Sequence, residues 1–174
     1  MSCQLEDCGK DVPEFSLCGL TLPGKVVECY DADTCKIVLP FQGAFYKFTC
    51  RLNGIDTPEM KPRKDKPNRE NEIVWAKRAR AELLRLICLD SNHTADNLDM
   101  KKEDIIALLH QNKRAIQVKC LEFDKYGRLL VELYDSGGGS GGSGGLSYND
   151  RLVEKNLAVP YGGGKKVAPW ILPS

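Results

Sequence analysis

Residues 25–53 read KVVECYDADTCKIVLPFQGAFYKFTCRLN. Two β-prone runs, Lys25–Tyr30 and Cys35–Leu39, flank Asp31-Ala32-Asp33-Thr34, which has turn composition. In the next run, Phe45–Asn53, Phe48, Cys50 and Leu52 alternate with Thr49, Arg51 and Asn53. A period of two places the apolar set on one face and Arg51 on the other. Successive short strands of this kind argue for a mainly β domain with one apolar face turned inward.

Reading onward, the charged loop 61–68 leads into an expected helix over Glu70–Leu89, with Ala76, Ala79, Leu83 and Ile87 on one stripe. A second helix is expected over Lys101–His110, carrying Ile105, Ile106, Leu108 and Leu109. Two further strands follow, Ala115–Leu121 (Ile116, Val118 and Cys120 on one face) and Gly127–Tyr134. The last helix opens on Ser147-Tyr148-Asn149-Asp150, a capping-box pattern, and runs to about Lys155, with Asn156 suited to a left-handed C-terminal cap. Five strands, a helical region after the third and a helix after the fifth imply an α+β, mainly β fold. The expected form is a five-stranded OB-fold barrel with two to three helices, whose closure removes the exposed strand edges.

The domain is expected over residues 24–174, with residues 1–23 as an N-terminal extension. Residues 136–145, SGGGSGGSGG, have flexible-coil composition. They read as an engineered linker in place of a loop, the alternative being a natural glycine-rich loop.

Composition limits the function classes. The chain has 174 residues, enough for one sizeable core, and its 42% hydrophobic and 28% charged residues are an ordinary globular balance. No apolar run approaches the ~20 residues that span a bilayer, so no membrane partner is expected. The stretch from Met1 to Lys10 lacks the pattern of a secretory leader. A net charge of +1 leaves any nucleic-acid affinity to local patches. One such patch is Lys61–Arg80, with eight basic residues against three acidic ones; a solvated helix face accounts for Lys77, Arg78 and Arg80 equally well. Among eight cysteines there is no Cys-x2-Cys pair. Cys29, Cys35, Cys50, Cys88 and Cys120 sit singly in apolar segments, as small buried hydrophobes do, whereas Cys3, Cys8 and Cys18 lie closer together. This usage points to a reducing, intracellular compartment. His93 and His110 read as surface residues, and no coiled-coil repeat marks an oligomer interface.

Three short pieces carry the chemistry: Asp31-Ala32-Asp33-Thr34, then Arg51 with Asp56-Thr57-Pro58-Glu59, and Asp124-Lys125-Tyr126-Gly127-Arg128. Carboxylates hold hard cations or activate water, and arginine matches the oxygens of a phosphate with a planar fork. Each piece also has a plain reading as turn former, loop start or hairpin. An EF-hand calcium loop is excluded, because the glycine at its sixth position and the later glutamate are missing. The three pieces together fit phosphodiester hydrolysis.

Their order resembles the staphylococcal nuclease (thermonuclease) family. The likeness runs from about Lys25 to Tyr161, through Asp31-x-Asp33-Thr34, Arg51-Leu52-x-Gly54-Ile55-Asp56-Thr57-Pro58-Glu59, Asp124-Lys125-Tyr126-Gly127-Arg128-Leu129 and Leu152-Val153-x-x-x-Leu157-Ala158. The resemblance implies calcium-dependent cleavage of DNA and RNA, single- or double-stranded, with little sequence specificity and leaving 3′-phosphates; another divalent cation is the variant of that reading. It implies metal ligation by Asp33, Asp56 and the Thr57 carbonyl, water activation by Glu59, and phosphate contacts by Arg51 and Arg128. Lys125, Tyr126 and Tyr161 are its candidates for touching substrate. The family usually has glycine where this chain has Ala32 and valine where it has Cys35. Alanine tolerates positive φ poorly, so a strained metal turn is expected. The segment 90–112, longer than its family counterpart, is expected to add a surface helix. The alternative function is a nucleic-acid or protein binding module that keeps the barrel without catalysis, as the nuclease-like repeats of Tudor-containing proteins resemble.

Overall fold

The computed structural model describes residues 4–89, 97–137, 145–165 and 170. After a 3-10 turn at Leu5–Asp7, the chain runs through β1 (Thr21–Asp31), β2 (Thr34–Phe41), β3 (Ala44–Leu52) and β4 (Ile55–Asp56). Helices α1 (Arg69–Cys88) and α2 (Lys102–Gln111) follow, then β5 (Ile116–Phe123), β6 (Leu129–Tyr134), α3 (Tyr148–Glu154) and β7 (Val159–Pro160). Five strands close a barrel in the order β1-β2-β3-β6-β5, while β4 and β7 make a separate two-stranded sheet. The architecture is the α+β, mainly β, OB-fold-like barrel expected from the pattern.

Closure depends on β1, which pairs with β5 through Thr21–Gly24 and with β2 from Lys25 onward. Its register shifts between Val26 and Glu28 and between Cys29 and Asp31, where extra residues bend the strand and increase its twist. Gly24 sits at the corner. A Cβ there would lie 2.6 Å from Val118 Cγ2 and 2.9 Å from Ile37 Cγ2 and Leu39 Cδ2, so only glycine lets the backbone approach that closely. The last seam is a short parallel pairing of β3 with β6, Cys50–Leu52 against Leu129–Val131.

The core follows the period-two reading. Ile37, Leu39, Cys50, Leu52, Val118, Cys120, Leu129, Val131 and Leu133 are all buried. So are Ala76, Ala79, Leu83 and Ile87 of the α1 stripe. Ala32 carries no strain: it is buried in the core cluster and absent from the left-handed residues, which among the described non-glycines are Gln42, Asn68, Leu89 and Asn156. The strained turn expected there does not form, because the β1 bulge supplies the bend and leaves the methyl group to fill the core. Asn156 does adopt the left-handed cap, and Ser147 and Asp150 form the capping box.

Residues of the expected extension, 1–23, belong partly to the barrel. Leu17 is 0% exposed within the core cluster, Gly19 N–H donates to Cys120 O at 3.0 Å, and Thr21–Pro23 pair with β5. Phe15 stacks edge-on against Phe41 at 5.5 Å between ring centres. Cys8 and Cys18 are exposed free thiols, Cys88 is half-buried, and the other barrel cysteines are buried. The helix added by the long segment is α2. It packs against β1 through Ile105 and Leu109 rather than lying free on the surface, with His110 exposed. Lys25 Nζ donates to the carbonyls of Leu109 and Asn112 and so holds the C-terminal end of α2. Cys3, His93 and residues 138–144 of the Gly/Ser tract lie outside the described residues. Among those described, no helix is long and apolar enough to cross a membrane.

At the far end of the barrel, Arg114 ties four elements together. Its Nη1 donates to Leu86 O (2.9 Å), Ile87 O (3.0 Å) and Tyr148 Oη (3.2 Å), and its Nη2 to Asp135 Oδ1 (2.7 Å). One guanidinium thereby satisfies the carbonyls at the end of α1 and fixes α3 against the barrel.

Candidate functional site

The β1–β2 turn, the end of β3, the segment after β4 and the β5–β6 turn meet at a cleft of about 530 Å³. Asp33, Arg51, Thr57, Glu59, Lys125, Tyr126, Arg128 and Tyr161, all singled out from the sequence, line it. Asp56 does not. It is buried behind the cleft, with Oδ1 accepting from Arg51 Nη2 at 3.3 Å.

Arg51 leaves the outer face of β3, where period two places it, and bridges two carboxylates. Its Nη1 donates to Asp33 Oδ2 (3.2 Å) and to Ile55 O (3.2 Å), while Nη2 takes Asp56. Asp33 also accepts from Thr34 Oγ1 (3.0 Å) and from Thr57 N–H (3.4 Å). The β1–β2 turn is thus fastened to the segment after β4, which the sequence separates by more than twenty residues.

The next tie is Asp31, whose Oδ1 accepts from Met60 N–H at 3.1 Å. Burial pushes the Asp31 carboxyl up to about 6, against the pull of that hydrogen bond, and the neighbouring carboxylates of Asp33 and Glu59 push it further. Glu72, near the start of α1, is a buried carboxylate that accepts from Glu59 N–H (3.2 Å) and pairs with Lys66 (2.6 Å). It fixes the backbone of Glu59 in the cleft.

Opposite, Asp124 organises the β5–β6 turn. Its Oδ1 accepts from the N–H groups of Tyr126 and Arg128, each at 2.9 Å, and its Oδ2 accepts from Arg128 Nε at 2.7 Å. Burial would raise this carboxyl, but those hydrogen bonds prevail and hold it below the usual range. The Arg128 guanidinium lies 5.4 Å from the centre of the Tyr126 ring, and Lys125 Nζ 5.1 Å from it. Tyr161 reaches the cleft because β7 pairs with β4 and Tyr161 N–H donates to Gly54 O (2.8 Å), which places the ring 5.7 Å from the Arg51 guanidinium. Pro160 ends β7 there without losing a bond the strand needs.

The oxygen donors at this end of the barrel are of the hard type that a divalent cation takes. The side chains are hard oxygen ligands, three carboxylates crowd one wall, and Thr57 Oγ1 is buried with no hydrogen-bond partner among the described residues. Asp33, Asp56 and Thr57 are the residues that would hold it. Among the described residues, no three His, Cys, Asp or Glu side chains already stand in a metal-holding cluster, and Arg51 acts as the counter-charge between Asp33 and Asp56.

Sequence reasoning missed Tyr30 and Glu72, took Lys61 only as part of the basic run 61–80, and left Asp124 without a role. Glu72 had a signal: it falls four residues before Ala76 on the buried stripe, where a carboxylate needs a partner. Asp124 had another, the Asx-turn chemistry of Asp-x-x-Gly. The basic run 61–80 is only partly open to a ligand. Arg80 is buried against the carbonyls of Tyr30 and Met100, not on a solvated face, Lys77 pairs with Asp99, and Arg78 stacks on Trp75. A second cavity of about 570 Å³ beside α3 holds none of the candidate catalytic residues, and its Asp150 is committed to the Ser147 cap.

No family model matches the chain, and no curated protein matches it.

Proposed function

We propose that the protein is a metal-dependent nuclease that hydrolyses phosphodiester bonds in DNA and RNA and leaves 3′-phosphates. The observation that carries the reading is the meeting, in one cleft, of carboxylates from two segments with arginines from β3 and the β5–β6 turn. The sequence resemblance to the staphylococcal nuclease family supports the same roles. Arg51 and Arg128 grip the phosphate, and their fixed charge stabilises the extra negative charge of the five-coordinate state. Glu59 accepts a proton from a water that attacks phosphorus. The bond from phosphorus to the 5′-oxygen breaks, the departing oxygen takes a proton from water, and a 3′-phosphate and a 5′-hydroxyl remain. Calcium, or another divalent cation on Asp33, Asp56 and the Thr57 carbonyl, would supply charge neutralisation at the phosphate oxygens.

Digestion of supercoiled plasmid and heat-denatured DNA, with calcium and with a chelator, tests this. Calcium-dependent cutting that Glu59→Gln and Arg128→Ala each depress by about 10²-fold or more supports the assignment. DNA binding without cutting under any divalent ion refutes it and favours a binding module on the same barrel.

A further inference from the structure

We propose that Tyr30 and Lys61 form a nucleotide subsite on the carboxylate wall of the cleft, which receives the part of a single-stranded nucleic acid that continues past the bond to be cut. This rests on the nuclease reading and names the substrate form.

Both residues line the cleft, and neither belongs to the motifs that carry the chemistry. Tyr30, at the end of β1, is 47% exposed between buried Cys29 and the partly buried Asp31. Lys61 is exposed and makes no ion pair among the described residues. Their segments are joined because Asp31, next to Tyr30, accepts from the N–H of Met60, next to Lys61. The backbone beneath the ring is held as well: Tyr30 O accepts from Nη1 of the buried Arg80 at 3.5 Å. An aromatic ring and an ammonium group therefore line the same cleft from two segments joined at a fixed base.

A second tyrosine and a second lysine line the cleft from another segment. In the β5–β6 turn, Lys125 Nζ lies 5.1 Å from the centre of the Tyr126 ring, which is 72% exposed. The cleft lining thus includes Tyr30 and Lys61 from one pair of joined segments and Tyr126 and Lys125 from the β5–β6 turn, together with the carboxylates and arginines. A tyrosine face stacks a base and a lysine meets a phosphate without reading sequence. Bases stacked in a duplex do not present their faces to such rings, whereas an unstacked strand does. A chain engaged at both pairs has nucleotides on both sides of the bond to be cut.

Binding of fluorescein-labelled (dT)8 and of an eight-base-pair duplex, followed by anisotropy in chelator, provides the test. Tyr30→Ala is expected to weaken (dT)8 binding about 5- to 150-fold, the loss that removal of one base–aromatic stack carries, and to leave duplex binding within twofold. Tyr30→Phe keeps the ring and binds as the parent does. Lys61→Ala lowers the slope of log affinity against log salt for (dT)8 by about 0.7, one phosphate contact. With calcium, Tyr30→Ala raises KM for (dT)8 and leaves kcat unchanged, whereas a ring that merely propped Asp31 would lower kcat. Parent-like (dT)8 binding by Tyr30→Ala, or equal losses on both probes, overturns the subsite and leaves the nuclease reading standing if calcium-dependent cutting persists. A parent protein that neither binds (dT)8 nor cuts it overturns both.

Discussion

Replacing Leu17 with alanine asks whether the residues ahead of β1 are an appendage or part of the barrel. Leu17 is 0% exposed and belongs to the central core cluster. Its segment is tied to β5 through Gly19 N–H to Cys120 O and Cys120 N–H to Leu20 O, at 3.0 and 2.8 Å. Those bonds hold the backbone in place, so the site cannot collapse to fill the space left by the side chain. Three buried carbon groups disappear, each contributing about 0.8 kcal/mol. With the residual cavity, the cost is expected at about 2.7–5 kcal/mol. For a chain of this size that corresponds to a fall in Tm of about 5–20 °C. Guanidinium unfolding is the assay: the midpoint falls while the m-value stays constant. Leu5→Ala is the internal control, since Leu5 lies in the same segment but is 83% exposed, and a change within about 0.5 kcal/mol is expected. A Leu17→Ala protein as stable as its parent, or Leu5→Ala equally costly, would refute the placement of Leu17 in the core.

Asp31 makes stability depend on pH: its carboxyl is raised from 3.8 to about 6, so the folded state binds the proton more tightly than the unfolded chain. Its stabilising contribution is complete below about pH 4 and is lost as pH rises through about 6; Asp31→Asn, which keeps an acceptor for Met60 N–H, should flatten the guanidinium midpoint across that window, and an unchanged slope would count against the assignment. Burial pushes the thiols of Cys29 and Cys50 to about 12 and that of Cys120 to about 11, and raises Cys35 well above its usual value. An aromatic disulfide reagent should therefore modify exposed Cys8 and Cys18 at once and these four only after denaturation, and early labelling of any of the four would contradict the barrel interior. Glu72→Ala removes the acceptor for Glu59 N–H and the partner of Lys66, and is expected to lower the proposed cleavage about 10²-fold, the factor that ~1 Å of misplacement carries. Parent-like kcat in that variant would show that Glu59 is positioned by other contacts.

Much of this was legible along the chain, because the features concerned are local. Alternation of Phe48, Cys50 and Leu52 with Thr49, Arg51 and Asn53 places Arg51 outside a strand whatever that strand pairs with. The α1 stripe and the Ser147–Asp150 cap follow equally from spacing and side-chain chemistry within one element. Ala32 misled for a physical reason. The turn obtains its bend from a β1 bulge, which depends on pairing with β2, and so the alanine never meets the left-handed conformation that would have strained it. Arg80 misled similarly, since its place on a charged helix face says nothing of the Tyr30 and Met100 carbonyls that β1 and the loop before α2 bring to it.

By itself, then, the sequence determined the five barrel strands and the helices, their inward faces and the inventory of acidic, basic and aromatic groups, because periodicity and turn chemistry act over a few residues. Tertiary structure alone decided which of those groups share a cleft. The closure of β3 on β6, the pairing of β4 with β7 that delivers Tyr161, and the Asp31–Met60 tie between the segments of Tyr30 and Lys61 all join residues far apart in the chain. Such contacts form only when the whole barrel buries its apolar faces together, and no local window carries that information.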